Sequence, residues 1–150
     1  MVRRWIAAGF GVGFLPRRLW GSDSGAGTFG AVLAAIVSAG TWGWPWWAHV
    51  GLVAGATAVS LWAAAPFSVG EDPPWVVVDE IAGTLLAGAG LVGWPWLVAV
   101  AVARLADIFK VLPGVGAAER LGGAVGVTLD DLVAGAYGLV VGWTLTLLGS

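Results

Sequence analysis

Ile81-Ala82-Gly83-Thr84-Leu85-Leu86-Ala87-Gly88-Ala89-Gly90-Leu91-Val92-Gly93-Trp94-Pro95-Trp96-Leu97-Val98-Ala99-Val100-Ala101-Val102-Ala103 is a run of 23 residues without a charged side chain. Its length suits one complete membrane span of roughly 20 residues. Inside it, however, lies Gly93-Trp94-Pro95-Trp96, which repeats Gly43-Trp44-Pro45-Trp46. Proline and glycine end helices, and tryptophan favours the headgroup level of a membrane. The repeat predicts one job done twice, an aromatic turn at the far interface. The run then reads as a helical hairpin over about 75–91 and 95–111. Each arm measures roughly 24 Å at 1.5 Å per residue, so the charges at the inner ends dip below the headgroups.

The distribution of charge agrees with the hairpin. It gathers all seven Lys/Arg and all nine Asp/Glu on one face and leaves His49 near the far turns. A single long span would instead put Asp79 and Glu80 across the bilayer from Arg104, Asp107 and Lys110. The Lys/Arg bias makes the charged face cytoplasmic.

The rest of the chain extends the pattern. The sequence is 59% hydrophobic and 11% charged, with a mean hydropathy of +0.89. A soluble domain carries roughly 25% charged residues, so an integral membrane protein is expected. Ser24 to Gly70 contains no Asp, Glu, Lys or Arg. That stretch supplies spans at about 27–42 and 47–67, and a last span runs over about 127–148. The predicted fold is all-α: a polytopic bundle of about five membrane helices, forming one domain over 1–150. Residues 1–23, with Arg3, Arg4, Arg17 and Arg18, form an interfacial N-terminal segment that is retained and not cleaved as a signal peptide. Gly51/Gly55 and Gly138/Gly142 have the spacing that lets helix backbones approach.

Several chemistries are excluded. The absence of cysteine removes disulfides and thiol ligands. One histidine, at the far turns, removes a zinc hydrolase, a Ser-His-Asp triad and a phosphohistidine intermediate. No Gly-x-x-x-x-Gly-Lys-Ser/Thr loop is present. A net charge of −2 gives no sign of nucleic-acid binding.

What remains is acidic. Asp72, Asp79/Glu80, Asp107 and Asp130/Asp131 converge on one face, and one of Asp79 and Glu80 is expected to face the site while the other faces a neighbouring helix. Arg104, Asp107 and Lys110 recur every third residue and share a helix face. Adjacent carboxylates at a membrane boundary suit a cation between them, and Mg²⁺ prefers carboxylate oxygen and water. Carboxylates for a metal beside cations for an anion suit phosphoryl chemistry. The same acids would also suit an ion-coupled transporter, although transporters place such residues near the midplane. A non-catalytic scaffold is the blandest alternative.

Three ordered motifs carry a family likeness. Asp72-Pro73 with Val77-Val78-Asp79-Glu80-Ile81-Ala82-Gly83 resembles the Asp-Pro … Val-x-Asp-Glu-x-x-Gly signature of the bacterial phosphatidylglycerophosphatase A proteins. Arg104-Leu105-Ala106-Asp107-Ile108-Phe109-Lys110 is similar to their Arg-x-x-Asp-x-x-Lys-Pro segment, with Val111 in place of the proline. Gly122-Gly123, Gly126-Val127 and Asp130-Asp131 with Ala134-Gly135 resemble a third, one residue longer here, with Glu119 standing for the acid that precedes it. Phe10-Gly11-x-Gly13, Pro16 and Gly27-Thr28 resemble an N-terminal block, with a longer loop carrying Arg17, Arg18 and Asp23.

The resemblance implies a Mg²⁺-dependent phosphatase of the bacterial inner membrane. It would convert phosphatidylglycerophosphate to phosphatidylglycerol in phospholipid biosynthesis. Asp79, Glu80, Asp107, Asp130 and Asp131 are expected to hold Mg²⁺, with Asp79, Asp107 and Asp131 catalytic. Arg104 and Lys110, with Arg17 and Thr28, are expected to bind the substrate phosphate. Either water or an aspartate is the nucleophile.

Overall fold

The structure is a computed structural model that describes residues 1–69 and 73–149. Glu71 and Asp72, read above as a polar turn and one of the converging acids, lie outside the described residues. Those described are helical, with no strand among them. The order is α1 (Val2–Ala7), a 3-10 turn at Val12–Phe14, α2 (Leu15–Trp20), α3 (Ala26–Gly40), α4 (Trp46–Ala64), α5 (Val78–Ala87), α6 (Gly93–Phe109), α7 (Val115–Glu119) and α8 (Gly123–Leu148).

The uncharged run breaks as the repeat predicts. α5 and α6 are separate helices joined through Gly88–Val92, with Gly90 at φ +70°. The two aromatic turns meet: the Trp42 and Trp96 rings pack edge-on at 5.5 Å, and Trp96 Nε1 donates to Ser38 Oγ at 3.0 Å. His49 lies at the same end, its Nε2 3.3 Å from Thr41 Oγ1 and its Nδ1 3.3 Å from the Pro45 carbonyl.

The arms of the hairpin are unequal, which corrects the expected 75–91 and 95–111. At ten residues, α5 is about 15 Å long, half a bilayer core. Its start is delayed because Trp75–Val77 are held out of the helix. Val77 N–H donates to the Ala7 carbonyl at 2.8 Å, and the segment packs against Gly13 and Gly30, where a Cβ would overlap Trp75 and Val77. Its end comes early at the glycines of the turn. Of the described helices, α4 (19 residues) and α8 (26 residues) are long and apolar enough to cross a membrane, fewer than the five expected. α3 is apolar but has 15 residues.

α8 is the spine. It packs along α5, α6 and α7, and α5 also rests on α3 and α4. Its contacts run over small residues. A Cβ on Gly83 would meet the Asp131 carbonyl, one on Gly135 would overlap the Gly83 carbonyl, and Gly138 and Gly142 abut Ala99 of α6. Gly51 and Gly55, which have the same four-residue spacing, have open space beside them. α1 covers α4 through a buried cluster of Ala7, Ala63, Ala64, Val76 and Val78. Ser60 Oγ and Thr128 Oγ1, both fully buried, join α4 to α8 at 2.8 Å.

Candidate metal and phosphate site

Antiparallel packing brings the first turn of α5, the last turn of α6 and the first half of α8 to the same end of the bundle. Asp79 and Glu80 open α5, Asp107 closes α6, and Asp130 and Asp131 stand eight and nine residues into α8. One carboxylate oxygen from each of Asp79, Glu80 and Asp131 falls within 4.8 Å of the others. Both members of the Asp79-Glu80 pair face this cluster, where one was expected to turn away. Asp79 Oδ1 accepts the Glu80 backbone N–H at 3.1 Å, which fixes the Asp79 carboxylate at the helix start.

Asp130 and Asp131 divide instead. Asp130 Oδ2 accepts from Lys110 Nζ at 2.5 Å, and Asp131 joins the cluster. α6 ends at Phe109 and Lys110 adopts φ +50°, so Lys110 leaves the face it was expected to share with Arg104 and Asp107. Its ammonium bridges Asp130 and, at 3.0 Å, Glu119 of α7. Burial works to lower the Lys110 pKa, but its hydrogen bonds to Asp130 and Glu119 prevail and raise it above the usual lysine value. Lys110 therefore carries its charge across the neutral range.

Arg104 stands over the carboxylates. Its Nη1 pairs with Asp107 Oδ2, and its Nη2 donates to Thr28 Oγ1 at 3.4 Å. Gly27, beside Thr28 at the start of α3, lies so close that a Cβ would overlap Glu80 Oε1 and crowd Arg104. Glu80, Gly83, Thr84, Ala103, Arg104, Asp107 and Asp131 line a pocket of about 10 Å³. That is about the room of one water. Two polar atoms there are buried without a hydrogen-bond partner among the described residues: the acceptor Glu80 Oε2 and the donor Arg104 Nε.

Arg17 is not brought to this site. It is exposed, 3.5 Å from Asp23, and lines a separate pocket with Arg4 and Arg18. Thr84 lines the carboxylate pocket but was not singled out from the sequence. Its place four residues after Glu80, on the same helical face, is the signal that marks it.

The electrostatics favour a bound cation. At an effective dielectric of 20, two carboxylates no more than 4.8 Å apart repel by roughly 3 kcal/mol or more, and three such pairs face one guanidinium. The donors are all oxygen, the set preferred by a hard divalent ion.

The family model described as phosphatidylglycerophosphatase A matches residues 5–146. The chain belongs to the phosphatidylglycerophosphatase A family. A Bacteroides thetaiotaomicron protein, provisionally named a phosphatidylinositol-3-phosphatase, is 38% identical over 148 residues, covering 91% of this chain and 88% of that protein. No solved structure matches the chain. Family and relative both name a phosphatase. The described parts of the three motifs that resemble phosphatidylglycerophosphatase A meet at the carboxylate end: Asp79 and Glu80 from one, Arg104 and Asp107 from the next, Asp131 from the last.

Proposed function

We propose that the protein is a Mg²⁺-dependent lipid phosphatase that removes the terminal phosphomonoester of phosphatidylglycerophosphate, leaving phosphatidylglycerol, in phospholipid biosynthesis. The observation that carries this reading is the pairing of orphans in one pocket. Glu80 Oε2 lacks a donor and Arg104 Nε lacks an acceptor among the described residues. A cation completes the first and a phosphate oxygen the second.

The residues fit Mg²⁺. Asp79, Glu80 and Asp131 would hold it, with Asp107 and Asp130 reached through water. The ion would neutralise phosphate charge and polarise the phosphoryl group. The chain does the rest. Asp107 fixes the Arg104 guanidinium, which presents Nε and Nη2 to the phosphate, and Thr28 steadies Nη2. An aspartate of the cluster either orients the attacking water or attacks phosphorus itself; acid-quench trapping of an acyl phosphate separates the two. Lys110 holds Asp130 and α7 in place, so its part is positioning.

The membrane reading follows the same geometry. The charged end faces the cytoplasm of a bacterium at the inner membrane, with α3, α4, the α5/α6 hairpin and α8 embedded. The carboxylates then sit just below the headgroups, where a lipid phosphate reaches them without leaving the bilayer. An ion-coupled transporter finds no support from the matches, both of which name phosphatases.

The test is phosphate release by purified protein in detergent. Substrates are phosphatidylglycerophosphate, phosphatidylinositol 3-phosphate and phosphatidic acid, each with and without a chelator. Release from the first, abolished by chelation and restored by Mg²⁺, is expected. Chelator-resistant release would refute the metal assignment. Preference for the inositol lipid would replace the substrate with the one named for the relative.

A further inference from the structure

The N-terminal segment builds a second pocket, of about 430 Å³, lined by Arg4, Trp5, Phe14, Arg17, Arg18 and Trp75. Three guanidinium groups meet three aromatic rings there, and among the described residues no carboxylate lines it. Arg4 lies over two of the rings, 5.5 Å from the Phe14 centroid and 5.4 Å from that of Trp75. Stacking uses the face of a guanidinium and leaves its edge donors free for an anion. Arg17 is 70% exposed and Asp23 is 3.5 Å away, a pair of little energetic weight. Arg18 has no ion pair among the described residues.

The pocket is anchored to the charged end of the bundle. Arg3 lies 4.6 Å from the Trp62 ring centroid near the end of α4, and Phe14 packs on Trp75, four residues before Asp79. Phe10, Leu19 and Trp20 are exposed on the same segment. Apolar side chains beside arginines on short helices mark a segment lying in the headgroup layer of an anionic membrane.

We propose that this pocket binds the phosphodiester headgroup of an anionic phospholipid, separate from the lipid being hydrolysed. The guanidinium edges take the phosphate oxygens. The aromatic walls take the glycerol and the roots of the acyl chains, a surface that free phosphate has no use for. The inference rests on the membrane placement of the charged end and is independent of the phosphatase chemistry.

Native mass spectrometry of detergent-purified protein tests it, with titrations of phosphatidylglycerol, phosphatidylcholine and inorganic phosphate. The wild type should retain one phosphatidylglycerol in preference to phosphatidylcholine. The Arg17→Gln/Arg18→Gln variant, altered at two exposed positions, should bind it about 25-fold more weakly, at roughly fivefold per arginine. Hydrolysis of a water-soluble phosphomonoester by that variant should stay within about twofold of wild type. Equal retention of phosphatidylglycerol by both proteins would overturn the proposal. So would indifference between the two lipids, competition by inorganic phosphate at equal concentration, or parallel loss of soluble-substrate hydrolysis.

Discussion

Gly83→Ala probes how the closeness of α5 and α8 governs the carboxylate cluster. A Cβ at Gly83 falls 2.5 Å from the Asp131 carbonyl oxygen and 3.0 Å from Asp131 Cβ. Ordinary contact begins near 3.4 Å, so the two helices must part by about 0.9 Å at that point. Asp79 and Glu80 ride on one helix and Asp131 on the other, so the same movement opens the cluster. Oxygens bound to one Mg²⁺ at 2.0–2.1 Å stand at most about 4.2 Å apart. The native set, within 4.8 Å, closes onto an ion with a shift of about 0.6 Å. The variant needs about 1.5 Å, or must give up a ligand. Displacing a ligand's support typically costs 10–100-fold in metal affinity. We expect the Mg²⁺ concentration for half-maximal phosphate release to rise by about that factor, with maximal activity partly recovered at high Mg²⁺. Overpacking should also cost about 1–3 kcal/mol of stability. Gly51→Ala, whose added methyl meets open space, is the matched control. A folded Gly83→Ala protein with the Mg²⁺ midpoint of the wild type would refute the reasoning.

Two further substitutions separate the roles assigned within the site. Asp131→Asn removes a charge from the cluster and should lower Mg²⁺-dependent turnover by at least about 100-fold, read as phosphate release at saturating lipid; near-normal turnover would remove Asp131 from the machinery. Lys110→Met leaves the buried Asp130 carboxylate without its ion-pair partner and frees α7. It should cost about 2 kcal/mol in unfolding assays in mixed micelles while KM for the lipid changes less than about threefold. A large rise in KM with unchanged stability would return Lys110 to the phosphate.

The legible features of this chain were those written as contrast against an apolar background. Two Gly-Trp-Pro-Trp copies stood out, and Trp42 does pack on Trp96 where the two turns meet. Asp79, Glu80, Arg104, Asp107 and Asp131 were visible as the few charges in long neutral runs, and they do gather at one end. What stayed hidden depends on backbone conformation or on which of many glycines touches a neighbour. Nothing in Phe109-Lys110-Val111 announces the left-handed turn that swings Lys110 away from Arg104. Among 25 glycines, Gly83 and Gly135 lie against a neighbouring backbone, whereas Gly51 and Gly55 face open space. The shortness of α5 depends on Gly13 and Gly30 cradling a segment far away in sequence. Arg17 follows Pro16 on the short helix α2, whose direction sequence spacing does not convey, and it lies away from the carboxylates.

The indole brace between Trp42, Trp96 and Ser38 has a mechanical consequence. A pocket with room for one water must widen before any headgroup enters, and the hairpin is tethered at its tip. Entry is then a pivoting motion: α6 acts as a lever of about 25 Å, and a swing of about 2° about the tether moves its free end by about 0.9 Å. With the charged end placed below the headgroups as proposed, a gate hinged at the remote surface would open sideways toward the lipids, and substrate would arrive along the plane of the membrane while the neutral end stays closed.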